Sequence, residues 1–154
     1  MRTDTAYPVT RVLHQSSSLD DPCLLAAIAS GLARSVAGDP PAGLERTWEQ
    51  LVATDAYDAW VIGWPAGTAV GPHDHGGSSG AFTVVRGALV EVIVEPDGSR
   101  VAIHASGGTR AFGSEVVHDV ANAGPEPAVS VHVYSPPLTT MRRYLWAPAE
   151  AATA

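Results

Sequence analysis

The sequence predicts a mainly β fold: a small antiparallel barrel or sandwich with two helices at its N-terminal end, in a single domain. Two observations point there. After Thr54, short runs rich in β-branched and aromatic residues alternate with Gly, Pro and Asp turns, the grammar of a sandwich or barrel. Before Thr54, apolar residues recur at helical spacing. The chain has 154 residues, 45% of them hydrophobic and 16% charged. That is enough to bury one real core, and it argues against a disordered body.

Residues 1–18 show no period and are expected to form an arm. Asp20 and Asp21 stand before Pro22, which supplies a cap and a proline in the first turn of a helix. Leu24, Leu25, Ile28, Leu32 and Val36 continue it, with Cys23 expected as a buried apolar residue. "GDPPAG" at 38–43 ends the helix. A second helix is expected over 44–53, with Leu44, Trp48 and Leu51 on one face. Strands are expected at 57–64, 81–86, 89–95, 100–104, 116–122, 128–134 and 141–146, with a hairpin turn at "EPDGS", 95–99. The domain spans 19–146, and 147–154 reads as a flexible tail.

The net charge of -7 and the pI near 5.2 exclude nucleic acid and anionic membrane as expected partners. No apolar run of about 18 residues and no signal-peptide pattern is present, so a cytoplasmic monomer is expected. A single cysteine leaves no internal disulfide and no thiolate metal cluster.

"GTAVGPHDHGGSSGAFTVVRG", 67–87, carries His73 and His75 one residue apart. On a strand such a pair points to one face, and neutral imidazole is the commonest metal ligand. A third ligand is required, and His118 in "VVHDVAN" offers it. Asp74 must then point away, as a turn residue. The combination resembles the cupin family, whose first motif is matched by Gly67, His73, His75 and Gly87, with Gly80 at the usual Glu position. His118 and Asn122 match the end of the second motif. Gly113 and Glu115 replace its Pro and second Gly. The resemblance implies a cupin-type antiparallel β-barrel (jelly roll).

"SVHVYSPP", 130–137, places Ser130, His132 and Tyr134 on one strand face and Val129, Val131 and Val133 on the other. Beside a metal, the polar face reads as a hydrogen-bond relay. With "WPAGTAVGPHDHGGSSG" and "HDVAN", this row resembles the cysteine dioxygenase family of thiol dioxygenases, from about Arg46 to Tyr144. The resemblance implies non-haem Fe(II) held by His73, His75 and His118. It also implies oxidation of a small thiol, cysteine or 3-mercaptopropionate, to the sulfinic acid with O2. Ser130, His132 and Tyr134 would be the outer-sphere relay, and Trp64 an aromatic packed beside the pocket. His14 and His104 are expected to be dispensable.

Cysteine-specific members carry an arginine before the first barrel strand; in "RTWEQL", Arg46 stands too early and Trp48–Gln50 occupy that position. Members preferring 3-mercaptopropionate often pair a Gln there with an arginine after the tyrosine. Gln50 with Arg142 or Arg143 could repeat that arrangement, or all three could be solvated. Two other classes remain open: a zinc or manganese cupin acting as hydrolase or isomerase, and a non-catalytic small-molecule-binding cupin. Neither needs the Ser130–His132–Tyr134 row.

In animal members of the family a cysteine at the Gly80 position is cross-linked to the tyrosine matching Tyr134. Here the intact mass should equal the sequence mass. A mass lower by two hydrogens, with a joined tryptic peptide from the Gly80 and Tyr134 regions, would contradict the alignment.

Overall fold

The computed structural model describes residue 19, residues 21–39 and residues 43–145. The expected arm, Asp20, Trp146 and the expected tail lie outside them. Among the described residues one helix, α1 (Pro22–Ala33), precedes eight strands: β1 (Thr47–Ala53), β2 (Asp58–Trp64), β3 (Ser79–Arg86), β4 (Ala88–Glu95), β5 (Gly98–Ala105), β6 (Thr109–Phe112), β7 (His118–Ala121) and β8 (Ala128–Ser135). All pairings are antiparallel. They form two open sheets, β1-β2-β8-β3-β6 and β5-β4-β7, in place of one closed barrel.

Asp21 caps α1, its carboxylate accepting from the Cys23 N–H at 2.9 Å. The helix buries Leu25 and Ala29 against Ala59, Ala81 and Val133, on the outer face of the larger sheet. Small residues at two of these three positions let the helix approach closely. Cys23 is exposed rather than buried, because it sits on the solvent side of the first turn. Val36 lies beyond the end of the helix.

The expected second helix is absent. Residues 47–53 form edge strand β1, paired with β2 in a register that sets Thr47 opposite Gly63 and Gln50 opposite Trp60. The Leu44, Trp48, Leu51 spacing imitates a helical face, but all three side chains are exposed. Pairing with β2, which helical propensity does not register, decides the conformation. Strand β6 has no counterpart among the expected strands, and the expected strand at 141–146 is reduced to a single bridge between Arg143 and His73. The "EPDGS" turn is present, with Glu95 opposite Gly98.

The inner faces of the two sheets enclose Trp64, Phe82, Val84, Leu89, Phe112 and Val120. Gly87, at φ 76°, makes the sharp turn from β3 to β4. Gly80 lies directly opposite Tyr134, and a Cβ there would meet the Phe112 ring at 2.5 Å and Tyr134 Cδ1 at 3.0 Å. Gly80→Ala should therefore overpack the core and lower stability by about 1–3 kcal/mol. Denaturant unfolding measures this; an unchanged midpoint would mean that Phe112 moves aside freely.

Candidate metal centre

The first ligand pair does not lie on a regular strand. Residues 67–73 run as an irregular strand beside β7, with the Gly67 N–H donating to the Asn122 carbonyl and the Val70 N–H to that of Val120. The Asn122 amide also donates to the Trp64 and Glu126 carbonyls, holding the end of β7 in place. At the other end His73 and His118 exchange both backbone hydrogen bonds, at 2.9 and 3.0 Å. Asp74 turns outward as expected: its carboxylate accepts from the Gly76 N–H and the Tyr144 hydroxyl. These contacts hold it at a pKa of about 2, the Tyr144 hydrogen bond contributing most.

His73, His75 and His118 form a buried triangle with ring centroids 4.9–5.0 Å apart, each offering a ligand nitrogen within 4.8 Å of the others. The ring hydrogen bonds fix which nitrogen is free. His73 Nδ1–H donates to the Gly71 carbonyl at 2.8 Å, and His118 Nδ1–H to Glu91 Oε1 at 2.7 Å, so each leaves Nε2 as a lone-pair donor. Among the described residues, His75 has no hydrogen-bond partner on either ring nitrogen although it is buried. Burial lowers His73 to a pKa of about 4 and His75 to about 2, so both are neutral at pH 7. Three converging imidazoles, one of them buried with both ring nitrogens unpartnered, are what a divalent transition-metal ion needs.

The row on β8 forms as anticipated, with Trp64 added to it. Trp64 Nε1–H donates to Ser130 Oγ at 2.8 Å; Ser130 Oγ lies 2.9 Å from His132 Nε2, and His132 Nδ1 lies 3.2 Å from the Tyr134 hydroxyl. Indole can only donate. Ser130 is fully buried, and its hydroxyl proton has His132 Nε2 as its acceptor, so His132 Nδ1–H donates to the oxygen of Tyr134, which lines the cavity beside it. The Tyr134 proton is left free. Burial lowers His132 to about 3, keeping it neutral. Burial, reinforced by the Asp58 carboxylate, raises Tyr134 well above its ordinary value, so it keeps its proton. Tyr134 lies 5.4 Å from His75, centroid to centroid. Phe82 stacks on His132 at 5.1 Å and meets His104 edge-on.

A cavity of about 270 Å³ opens beside Tyr134, lined by Arg46, Trp48, Trp60, Leu138 and Arg143 among others. Two of the expected substrate-binding residues lie away from it. Gln50 is exposed on β1 and Arg142 is exposed, and neither lines the cavity. Arg143 does, its guanidinium donating to the Val70 carbonyl at 2.6 Å. Arg46, judged too early, stands 5.2 Å from the centroid of the Trp64 ring and faces the same cavity. Burial, and then the charge of Arg143, lowers its pKa. Glu91 was also missed, and His104, expected to be dispensable, is one of its partners. Glu91 is fully buried and takes hydrogen bonds from His118, from His104 Nε2 at 2.8 Å and from Arg110 Nε at 3.1 Å. Burial raises the Glu91 pKa, but the hydrogen bonds from His118 and His104 and the charges beside it, Arg110 among them, together outweigh it and leave a value of about 2.

A family model for cysteine dioxygenase type I matches residues 42–146. The chain belongs to the cysteine dioxygenase type I family. Among solved structures, this family member is similar to an uncharacterised conserved protein with a double-stranded β-helix domain from Klebsiella pneumoniae. The identity is 22% and the TM-score 0.57, over 68% of this chain and 87% of that one. A protein from Thermus thermophilus matches at 21% identity and TM-score 0.56, over 69% and 94% of the two chains. An oxalate oxidase in complex with glycolate matches at 17% and 0.57, over 70% and 59%. These likenesses establish the cupin fold of the cysteine dioxygenase family member; its three-histidine site marks it as a metal-dependent cupin.

The depressed histidines set a pH dependence for the metal-free protein. Between the ordinary value of 6.5 and the lowered values of His73 and His132, the unfolded chain binds protons that the folded chain does not. Stability is therefore full above pH 6.5 and falls as pH drops toward 4. Denaturant unfolding at pH 7, 6 and 5 should show a declining midpoint; a flat profile would mean that these rings are not buried neutral.

Proposed function

We propose that the protein is an Fe(II)-dependent thiol dioxygenase acting on a small thiol that carries a carboxylate. The observation that carries this reading is the Trp64–Ser130–His132–Tyr134 row, which ends with a free phenolic proton beside the three-histidine cluster. Membership of the cysteine dioxygenase family supports it. The net reaction is RSH + O2 → RSO2H: both oxygen atoms join sulfur, which gives up the four electrons that dioxygen takes up.

His73 and His118 would hold the iron through Nε2, with His75 as the third ligand, and iron so held would supply the redox chemistry that joins dioxygen to a thiol. The protein's own groups do the rest. Arg46, half-buried against Trp64, pairs with the substrate carboxylate, and Arg143 adds a second positive charge at the exposed side of the cavity. A desolvated guanidinium–carboxylate pair fixes both position and orientation. Trp60 and Leu138 exclude water from the reacting end. Tyr134 donates its free proton toward the substrate, and His132, held by Ser130, keeps that hydroxyl in place.

Oxygen uptake with cysteine and 3-mercaptopropionate, with sulfinate read by mass spectrometry, tests the activity. Tyr134→Phe should keep its iron and lose about 10²–10⁴-fold in turnover. Arg46→Met should weaken use of a carboxylated thiol by about 2–5 kcal/mol in kcat/KM. Stoichiometric zinc in the purified protein, with no activity gained on adding Fe(II), would sink the reading.

A further inference from the structure

Glu91 occupies the middle of β4, between Leu89 and Ile93 on the inner face, with no exposed surface. An unpartnered carboxylate there would cost several kcal/mol, and an apolar side chain would fill the space without that cost. Three N–H donors converge on it instead, and they divide unequally. Oε2 takes His104 Nε2 and Arg110 Nε, while Oε1 takes His118 Nδ1 alone. Two outer groups thus hold the carboxylate so that one oxygen serves a single imidazole.

The three candidate ligands are correspondingly unlike. His73 Nδ1 faces a neutral carbonyl, His75 Nδ1 faces no partner, and His118 Nδ1 faces an anion. Gly80 stands where other cupins place a ligand carboxylate, so the cluster itself brings no negative charge.

We propose that Glu91 is a positioning residue for His118: it fixes the Nδ1–H form, aims Nε2 at the metal and raises the donor strength of that one imidazole. The carboxylate charge missing from the ligand set is then supplied one hydrogen bond further out. The inference rests on the three-histidine site holding a metal ion, which the proposed function shares, and not on thiol oxidation.

The test uses Co(II) as the probe, added to metal-free full-length protein, with affinity measured by competition against a chelator and the bound ion read by its d–d spectrum. Glu91→Gln should weaken Co(II) binding by about 10–100-fold. Because that change strands the Arg110 charge, Glu91→Gln with Arg110→Met is made in parallel to keep the charge balance; it should show the same loss. In iron-loaded protein the Fe(III)/Fe(II) potential should move to more positive values in both. Folded variants with wild-type Co(II) affinity and an unmoved potential would overturn the proposal and reduce Glu91 to a filler of the core. Neither readout needs thiol turnover, so wild-type protein that binds Co(II) yet oxidises no thiol would refute the dioxygenase reading and leave this one standing.

Discussion

The two backbone hydrogen bonds between His73 and His118 hold the site in register. They join an irregular segment to β7 and bring ligands 45 residues apart in the chain onto facing positions. The third ligand follows two residues later, and the 142–144 segment docks on the other side: the Asp74 N–H donates to the Arg142 carbonyl and the Tyr144 N–H to that of Pro72. Arg143 reaches the cavity because its neighbours are held there. One pairing thus positions metal ligands and a cavity cation together, and a slip of one residue would turn His73 and His75 away from His118.

Period-two alternation explains most of what was legible in the sequence. Ser130, His132 and Tyr134 follow it, and so does the valine face behind them, buried under α1 and the strands beside it. The glycine and histidine spacing of 67–87 located two of the three ligands, although they lie beside a strand and not within one. The reading of 47–53 as part of a helix fails, and so does the placement, taken from the family resemblance, of Gln50 at the cavity and Arg46 away from it: pairing Thr47 with Gly63 carries Arg46 to the Trp64 ring. No local signal separates the two readings, because β2 alone decides.

Glu91 was hidden for a different reason. In "ALVEVIVE" one face carries three valines and the other carries Leu89, Glu91, Ile93 and Glu95. Alternation alone would send the acidic face to solvent. The fold does the reverse, because His118, His104 and Arg110 arrive from three other strands to satisfy the carboxylate. Partners contributed by distant strands are invisible to any window of sequence, and a buried ion is the residue whose placement depends on them most.

The β8 row ends on an indole, and an indole nitrogen neither accepts a proton nor passes one on. The row is therefore a cul-de-sac. Protons can shift along Ser130 and His132, but there is no exit at Trp64 and hence no path to bulk water from that end. Phe82 closes the flank by stacking on His132. Whatever proton Tyr134 gives up must come back through the cavity it faces, so the supply of acid in this site is tied to what enters and leaves by the mouth beside Arg143.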